Sequence, residues 1–230
     1  MDSSVIVGYF DWRRGQIRYG RKTSENTLHS EAGKILRFLR WCKDRKYLRE
    51  VPSFEKPSRK DVRRPAFDRD DWNKVIRQSR RWINKHSHPS IQRDRTLLWN
   101  YALILINTGI RVGEARTLHW RDIRLEPNGT NTEPNVVFYV DGKTGDREVV
   151  ARNYENRVVE YLQRIKSLYN EPAPDDFIFA HPNGAPIKSL KRSFASLMRF
   201  ADVEFDSRGK IDARSIPCAT HMRLCASQRV

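Results

Sequence analysis

The chain has 230 residues, 38% of them hydrophobic and six of them tryptophan, so it can bury a core and a globally disordered protein is disfavoured. Lysine and arginine outnumber aspartate and glutamate by 44 to 28, and the net charge of +16 indicates a polyanionic partner such as nucleic acid. No stretch reaches transmembrane length, no clean amphipathic helix accompanies the charge, and no apolar signal core opens the chain. Three cysteines form no disulfide framework, which is typical of a reducing cytosol.

The first part of the chain predicts a small helical region with basic residues on its surface. Residues 1–24 are predicted to be partly extended. A helix is predicted to follow, capped by Thr27 or Ser30 and running to about residue 46. Candidate nucleic-acid-binding residues here are Lys22, Arg40 and Lys43. A solvated polar face explains these cations as well as a phosphate-facing stripe does, so both interpretations stay open.

Residues 57–66 read as a linker between domains, because prolines bracket a run of charged residues. A helix with aspartate at its cap follows and extends to about residue 83.

The stretch around Arg111 organises the rest of the chain. Residues 97–106 are continuously apolar and predict a buried helix, which Gly109 should end at positive φ. A second helix is predicted to begin at about Arg111 and to carry Val112, Ala115 and Leu118 inward. Arg111 would then share a helix start with free backbone N–H groups, an unfavourable place for a cation unless an anion such as phosphate binds there. From position alone, an ordinary surface arginine is an equally good interpretation.

The remaining pattern predicts a β-hairpin followed by further helices. Residues 136–140 and 147–150 form the two strands, with Lys143 near the tip. Helices are predicted over 155–169 and 189–200, and a short strand over 177–179. Arg192, on the last helix, is a further candidate nucleic-acid-binding residue. The fold class is therefore mainly α with a small β-hairpin or sheet (α+β).

The segment from Thr108 to Ile123 resembles the first catalytic box of the tyrosine recombinases, the phage-integrase family. That box has the form T-G-x-R-x-x-E followed by L-x-W-x-D-I. The matching residues are Thr108, Gly109, Arg111, Glu114, Leu118, Trp120, Asp122 and Ile123. Lys143, in a Lys-Thr-Gly context, also matches the hairpin lysine of the family. The resemblance spans roughly residues 67–200.

This resemblance implies a domain plan and a chemistry. Residues 1–56 would be a partial helical core-binding domain that clamps DNA, 57–66 the linker, and 67–230 an incomplete catalytic domain. The implied function is site-specific recombination or integration, in which duplex DNA is cut and rejoined through a phosphotyrosine link. Arg111 and Lys143 would be catalytic, Glu114 would support Arg111, and neither metal nor cofactor would be needed. The implied protein is a cytoplasmic one, encoded by a bacterium, phage or mobile element, that forms a homo-oligomer on DNA.

The end of the chain departs from the family pattern. The second box, H-x-L-R-H-T-F/Y-A-T, is missing, and no tyrosine follows Tyr169. A shifted reading frame can spell Tyr-Ser-Leu-Arg-His-Thr-Tyr-Ala-Thr across residues 215–224, so we hypothesise that residues from about 212 to 230 are out of frame. The chain would then lack its nucleophile and be inactive, and a non-catalytic DNA-binding remnant or regulator is the alternative. The coding DNA tests the frameshift.

Overall fold

The computed structural model describes residues 3–18, 20–59, 67, 69–129, 133–142 and 145–203. The chain divides into two compact units, Met1–Arg63 and Arg64–Val230. The first contains α1 (Ser3–Gly15), β1 (Ile17–Arg18), β2 (Arg21–Lys22) and α2 (Glu25–Asp44). The second contains α3 (Arg69–Asn84), α4 (Pro89–Thr108), α5 (Val112–Ala115), β3 (Ile123–Glu126), β4 (Asn135–Val140), β5 (Arg147–Val150), α6 (Arg157–Lys166) and α7 (Lys191–Phe200).

In the first unit, two helices pack through a short apolar seam. Ile6 and Phe10, one turn apart on α1, are buried with Leu28, Ala32 and Leu39 of α2. The prediction of a partly extended segment was therefore wrong for Ser3–Gly15. This helix was not predicted because its other large apolar residues, including Val5, Val7 and Trp12, are exposed. The apolar residues therefore do not follow a clear helical period in the sequence.

The cap of α2 also differs from the prediction. The side chain of Ser24, not that of Thr27 or Ser30, caps the helix, and Ser24 Oγ accepts the N–H of Thr27 at 3.2 Å. After α2 the chain stays with this unit, because the carbonyl of the buried Pro57 lies 2.8 Å from His29 Nδ1.

In the second unit, α4 is the central helix and packs against α3, α6 and α7. Because it has neighbours on several sides, its apolar residues need not follow one stripe. The predicted buried helix is thus confirmed, with Leu97, Leu98, Ile104 and Leu105 almost fully inaccessible to solvent.

A three-stranded antiparallel sheet of order β3-β4-β5 lies in the same unit. The predicted hairpin is confirmed, and Phe138 of β4 pairs with Ile123 on one side and Val149 on the other. Strand β3 was not predicted, because its exposed neighbours Arg124 and Leu125 break the alternation of apolar and polar residues.

Three predicted elements are shorter than expected. Residues 177–179 form an isolated bridge, His119 to Phe177, instead of a strand. Helix α6 starts at Arg157, since Glu155 and Asn156 have positive φ values of 50° and 54° that no α-helix accommodates. Helix α7 starts at Lys191. The predicted fold class, mainly helical with a small sheet, is confirmed.

A candidate phosphate-binding groove

The turn between α4 and α5 presents Arg111 to solvent. Gly109 ends α4 at φ 76°, as predicted, and its N–H donates to the carbonyl of Leu105 at 2.9 Å. Ile110 is buried, and Arg111 then caps α5 in an extended conformation with 57% of its side chain exposed. Helix α5 has only four residues, so its dipole is small and any anion held here depends on the guanidinium group itself.

A buried carboxylate fixes this arginine. Glu114 is 6% exposed, and its Oε2 accepts the backbone N–H of Arg111 at 3.0 Å while its Oε1 accepts Arg111 Nη1–H at 2.7 Å. Arg147 of β5 donates to both carboxylate oxygens, at 2.9 and 2.8 Å. These hydrogen bonds lower the pKa of Glu114 to about 2, and those from Arg147 have the largest effect. Together they outweigh burial, which acts in the opposite direction. Glu114 therefore stays ionised at any physiological pH.

An open groove of about 830 Å³ runs past this cluster. Arg111 and Glu114 line it from α5, His119 from the following turn, and Tyr139 and Gly142 from the hairpin. Asp122 also lies in the groove, where it accepts the N–H of His119 at 2.7 Å. The groove is thus open, and Arg111, with 57% of its side chain exposed, lies along its lining.

Comparison with known proteins relates this geometry to a fold. No family model and no curated protein sequence matches the chain. Solved structures do match it, and among them are two of the XerH site-specific recombinase bound to difH DNA. A post-cleavage complex on palindromic difH matches with a TM-score of 0.60 and 17% identity over 97% of this chain and 57% of that one. A pre-cleavage complex matches with a TM-score of 0.61 and 17% identity over 100% and 60%.

The chain has the tyrosine-recombinase fold. The resemblance first seen in the Thr108–Ile123 segment is therefore confirmed as a resemblance of fold. This chain spans less than two thirds of the length of these two XerH chains.

Within the tyrosine-recombinase fold, the structure brings only some of the predicted site residues together. Arg111 and Glu114 are in direct contact. Lys143 lies outside the described residues, although its described neighbours Gly142 and Asp146 line the groove. Arg192 is exposed on α7 and is not part of the groove lining.

The other predicted nucleic-acid-binding residues belong to the first unit. Lys22 is exposed on β2, and Arg40 and Lys43 are exposed on α2. Their predicted contact with DNA stays a prediction.

Sequence reasoning missed Arg147, which donates to both carboxylate oxygens of Glu114. A charged residue at the start of a hairpin strand is ordinarily a solvated one, and nothing in the pattern distinguished this arginine from its neighbours. Only the docking of the hairpin against α5 reveals its partner.

Residues 204–230, which include the predicted out-of-frame segment, lie outside the described residues. Among the residues that are described, no group of His, Cys, Asp or Glu side chains is arranged to hold a metal ion. No described helix is both long and apolar enough to cross a membrane.

Proposed function

We propose that this chain binds double-stranded DNA and holds one backbone phosphate with Arg111, as part of a site-specific DNA recombinase of the tyrosine type. The observation that carries the proposal is the contrast within one ion pair. The side chain of Arg111 is 57% exposed in the groove, whereas the carboxylate that fixes it is 6% exposed. A cation held at the surface by a buried anion is preorganised for an incoming ligand.

The charge balance of the cluster supports an anionic ligand. Two guanidinium groups share one carboxylate, so this cluster itself carries one surplus positive charge, in a groove whose lining also includes Asp122, Asp141 and Asp146. Nε and Nη2 of Arg111 donate to no described residue, so a planar pair of donors remains for two phosphate oxygens. The net charge of +16 would attract the DNA backbone over a longer range. The two XerH structures described above are complexes of that recombinase with DNA.

The implied chemistry forms a bond between a tyrosine oxygen and phosphorus and breaks the bond to the 5′-oxygen of the DNA. Arg111 would stabilise the charge on the non-bridging oxygens, and Lys143 would supply the proton to the leaving 5′-oxygen. This sequence carries no second arginine–histidine box and no tyrosine after Tyr169. We therefore propose that these 230 residues by themselves bind DNA without forming the covalent link, and a non-catalytic DNA-binding protein is the second candidate.

Binding is tested by fluorescence anisotropy on a labelled duplex selected from a random pool by the protein itself. Arg111→Gln should weaken binding and reduce the slope of log affinity against log salt by about 1, since one phosphate contact is lost. Arg164→Gln is the matched control, because Arg164 is exposed on α6 and pairs only with Glu160 among the described carboxylates. Equal slopes for the two variants would contradict the phosphate contact.

Covalent chemistry is tested with a nicked duplex of the same site, scored for a protein–DNA band on a denaturing gel. We expect no band. A band would show that a tyrosine of this chain acts as the nucleophile. Tyr139→Phe would then be the first variant to examine, because Tyr139 lines the groove.

A further inference from the structure

Arg147 and Glu114 join two parts of the groove that are distant in sequence. Glu114 belongs to α5, which follows the Arg111 turn, whereas Arg147 opens β5 on the far side of the hairpin, 33 residues away. Both nitrogens of the Arg147 fork engage both oxygens of Glu114. This two-point geometry fixes orientation as well as distance, which a single contact does not.

The hairpin backbone closes over the same carboxylate. A Cβ atom built on Gly142 would lie 2.8 Å from Glu114 Oε1 and 3.4 Å from Arg147 Nη1. Gly142 does not have a positive φ, so the need for glycine here is steric. The ion pair therefore occupies the space where the hairpin meets α5.

We propose that Arg147 is a positioning residue that acts through Glu114 to fix Arg111 to the β4–β5 hairpin. This inference rests on the proposed function, because it gives the ion pair the task of orienting the arginine that holds phosphate. Arg147 itself need not touch DNA. Its carboxylate partner receives two donors from β5, so the oxygens are held in place and the fork of Arg111 is directed into the groove.

The test is a double-mutant comparison of DNA affinity. Arg147→Gln should weaken binding at least about 3-fold more than the control Arg164→Gln, which removes the same charge from an exposed pair. In an Arg111→Gln background, Arg147→Gln should cost no more than Arg164→Gln, because the residue through which it acts is gone. An undiminished loss in that background would show that Arg147 acts independently of Arg111, and the inference would be overturned.

A second pair of variants perturbs the contact without changing any charge. Gly142→Ala should weaken DNA binding, because its new methyl group displaces the carboxylate. Gly129→Ala should not, since a Cβ there meets nothing within 4 Å. Equal affinities for these two variants would also overturn the inference. Arg147→Lys restores the charge but not the fork, so it should recover only part of the affinity.

The carboxyl carbon of Glu114, followed by NMR during acid titration, reports on the contact without any DNA. The pKa of Glu114 should rise in Arg147→Gln and stay unchanged in Arg164→Gln. If it stays unchanged in both, Arg147 does not hold Glu114 and the inference fails. If it rises but Arg111→Gln leaves DNA binding intact, the proposed function of the groove fails while the contact itself stands.

Discussion

Each unit of this protein contains a glutamate tied to an arginine on another element, and the two clusters differ in what they leave exposed. In the first unit, Glu31 of α2 accepts hydrogen bonds from two nitrogens of Arg13 and from the hydroxyl of Tyr9; both donor residues belong to α1. Glu31 and Arg13 are each 22% exposed, so the pair is half-buried and balanced. In the second unit, Glu114 is almost fully buried and holds two arginines, of which Arg111 remains largely exposed.

The difference shows how similar ion-pair chemistry serves two purposes. The Glu31 cluster joins two helices and leaves no surplus charge on its members. The Glu114 cluster joins α5 to the hairpin and carries one surplus positive charge, on residues beside a groove that Asp122, Asp141 and Asp146 also line. An exposed arginine held in place by a buried carboxylate is an arrangement suited to binding an anion.

Removing the two carboxylates should give the largest contrast. Glu114→Gln removes a buried carboxylate that accepts charge-assisted hydrogen bonds from two partly exposed arginines, which should cost about 3 kcal/mol of unfolding free energy. Glu31→Gln should cost about 1 kcal/mol, because its arginine partner retains access to water. Urea unfolding of the full chain measures both. A loss for Glu31→Gln as large as that for Glu114→Gln would remove the basis of the comparison.

Lowering the pH should likewise remove more stability from the Glu114 cluster than from the Glu31 cluster. The folded-state pKa of Glu114 is lowered to about 2 from an ordinary 4.5, so its contribution is complete above the ordinary value and is lost as the pH falls towards 2. The maximum contribution is about 3 kcal/mol at 1.4 kcal/mol per pKa unit. The pKa of Glu31 is also lowered, chiefly by the hydrogen bond from Arg13, but this pair is more exposed and should contribute less. The unfolding free energies of the wild type and of both glutamine variants, determined between pH 2 and 5 in steps of ~0.5 pH units, would measure the contribution of each glutamate. If Glu114→Gln lost as much unfolding free energy between pH 5 and 2 as the wild type does, this prediction would be contradicted.

The smallest effect concerns the backbone that directs Arg111 outward. Gly109→Ala places a side chain at φ 76° and should cost about 1 kcal/mol. Gly184→Ala, at φ 79° in a turn outside the groove lining, should cost about the same. Only Gly109→Ala should also weaken DNA binding, because it displaces Ile110, the residue next to Arg111. Thermal unfolding and anisotropy on the two variants test the distinction.

Sequence reasoning succeeded where local pattern and tertiary structure agree. The apolar run of α4, the positive φ of Gly109 and the β4–β5 hairpin all follow from spacing and residue type. It failed for α1, whose amphipathic period is weak because Val5 and Val7 face solvent. It also failed for β3, which forms only by pairing with β4.

The candidate site divides in the same way. Arg111 and Glu114 are three residues apart, so a motif can contain both. Arg147 contacts Glu114 only after the hairpin has docked, and no short pattern encodes that contact. Its contact with Glu114 was therefore recognisable only from the three-dimensional structure.

The long sequence separation within the Glu114 cluster sets when the groove can form during folding. The helical turns of α4 can form from local contacts, but the contact of Arg147 with Glu114 must first close a loop of 33 residues. Intermediates that contain only the helices consequently lack the assembled cluster. DNA that binds the groove would select the fully folded second unit and stabilise it by mass action, so the ligand would also report on completed folding.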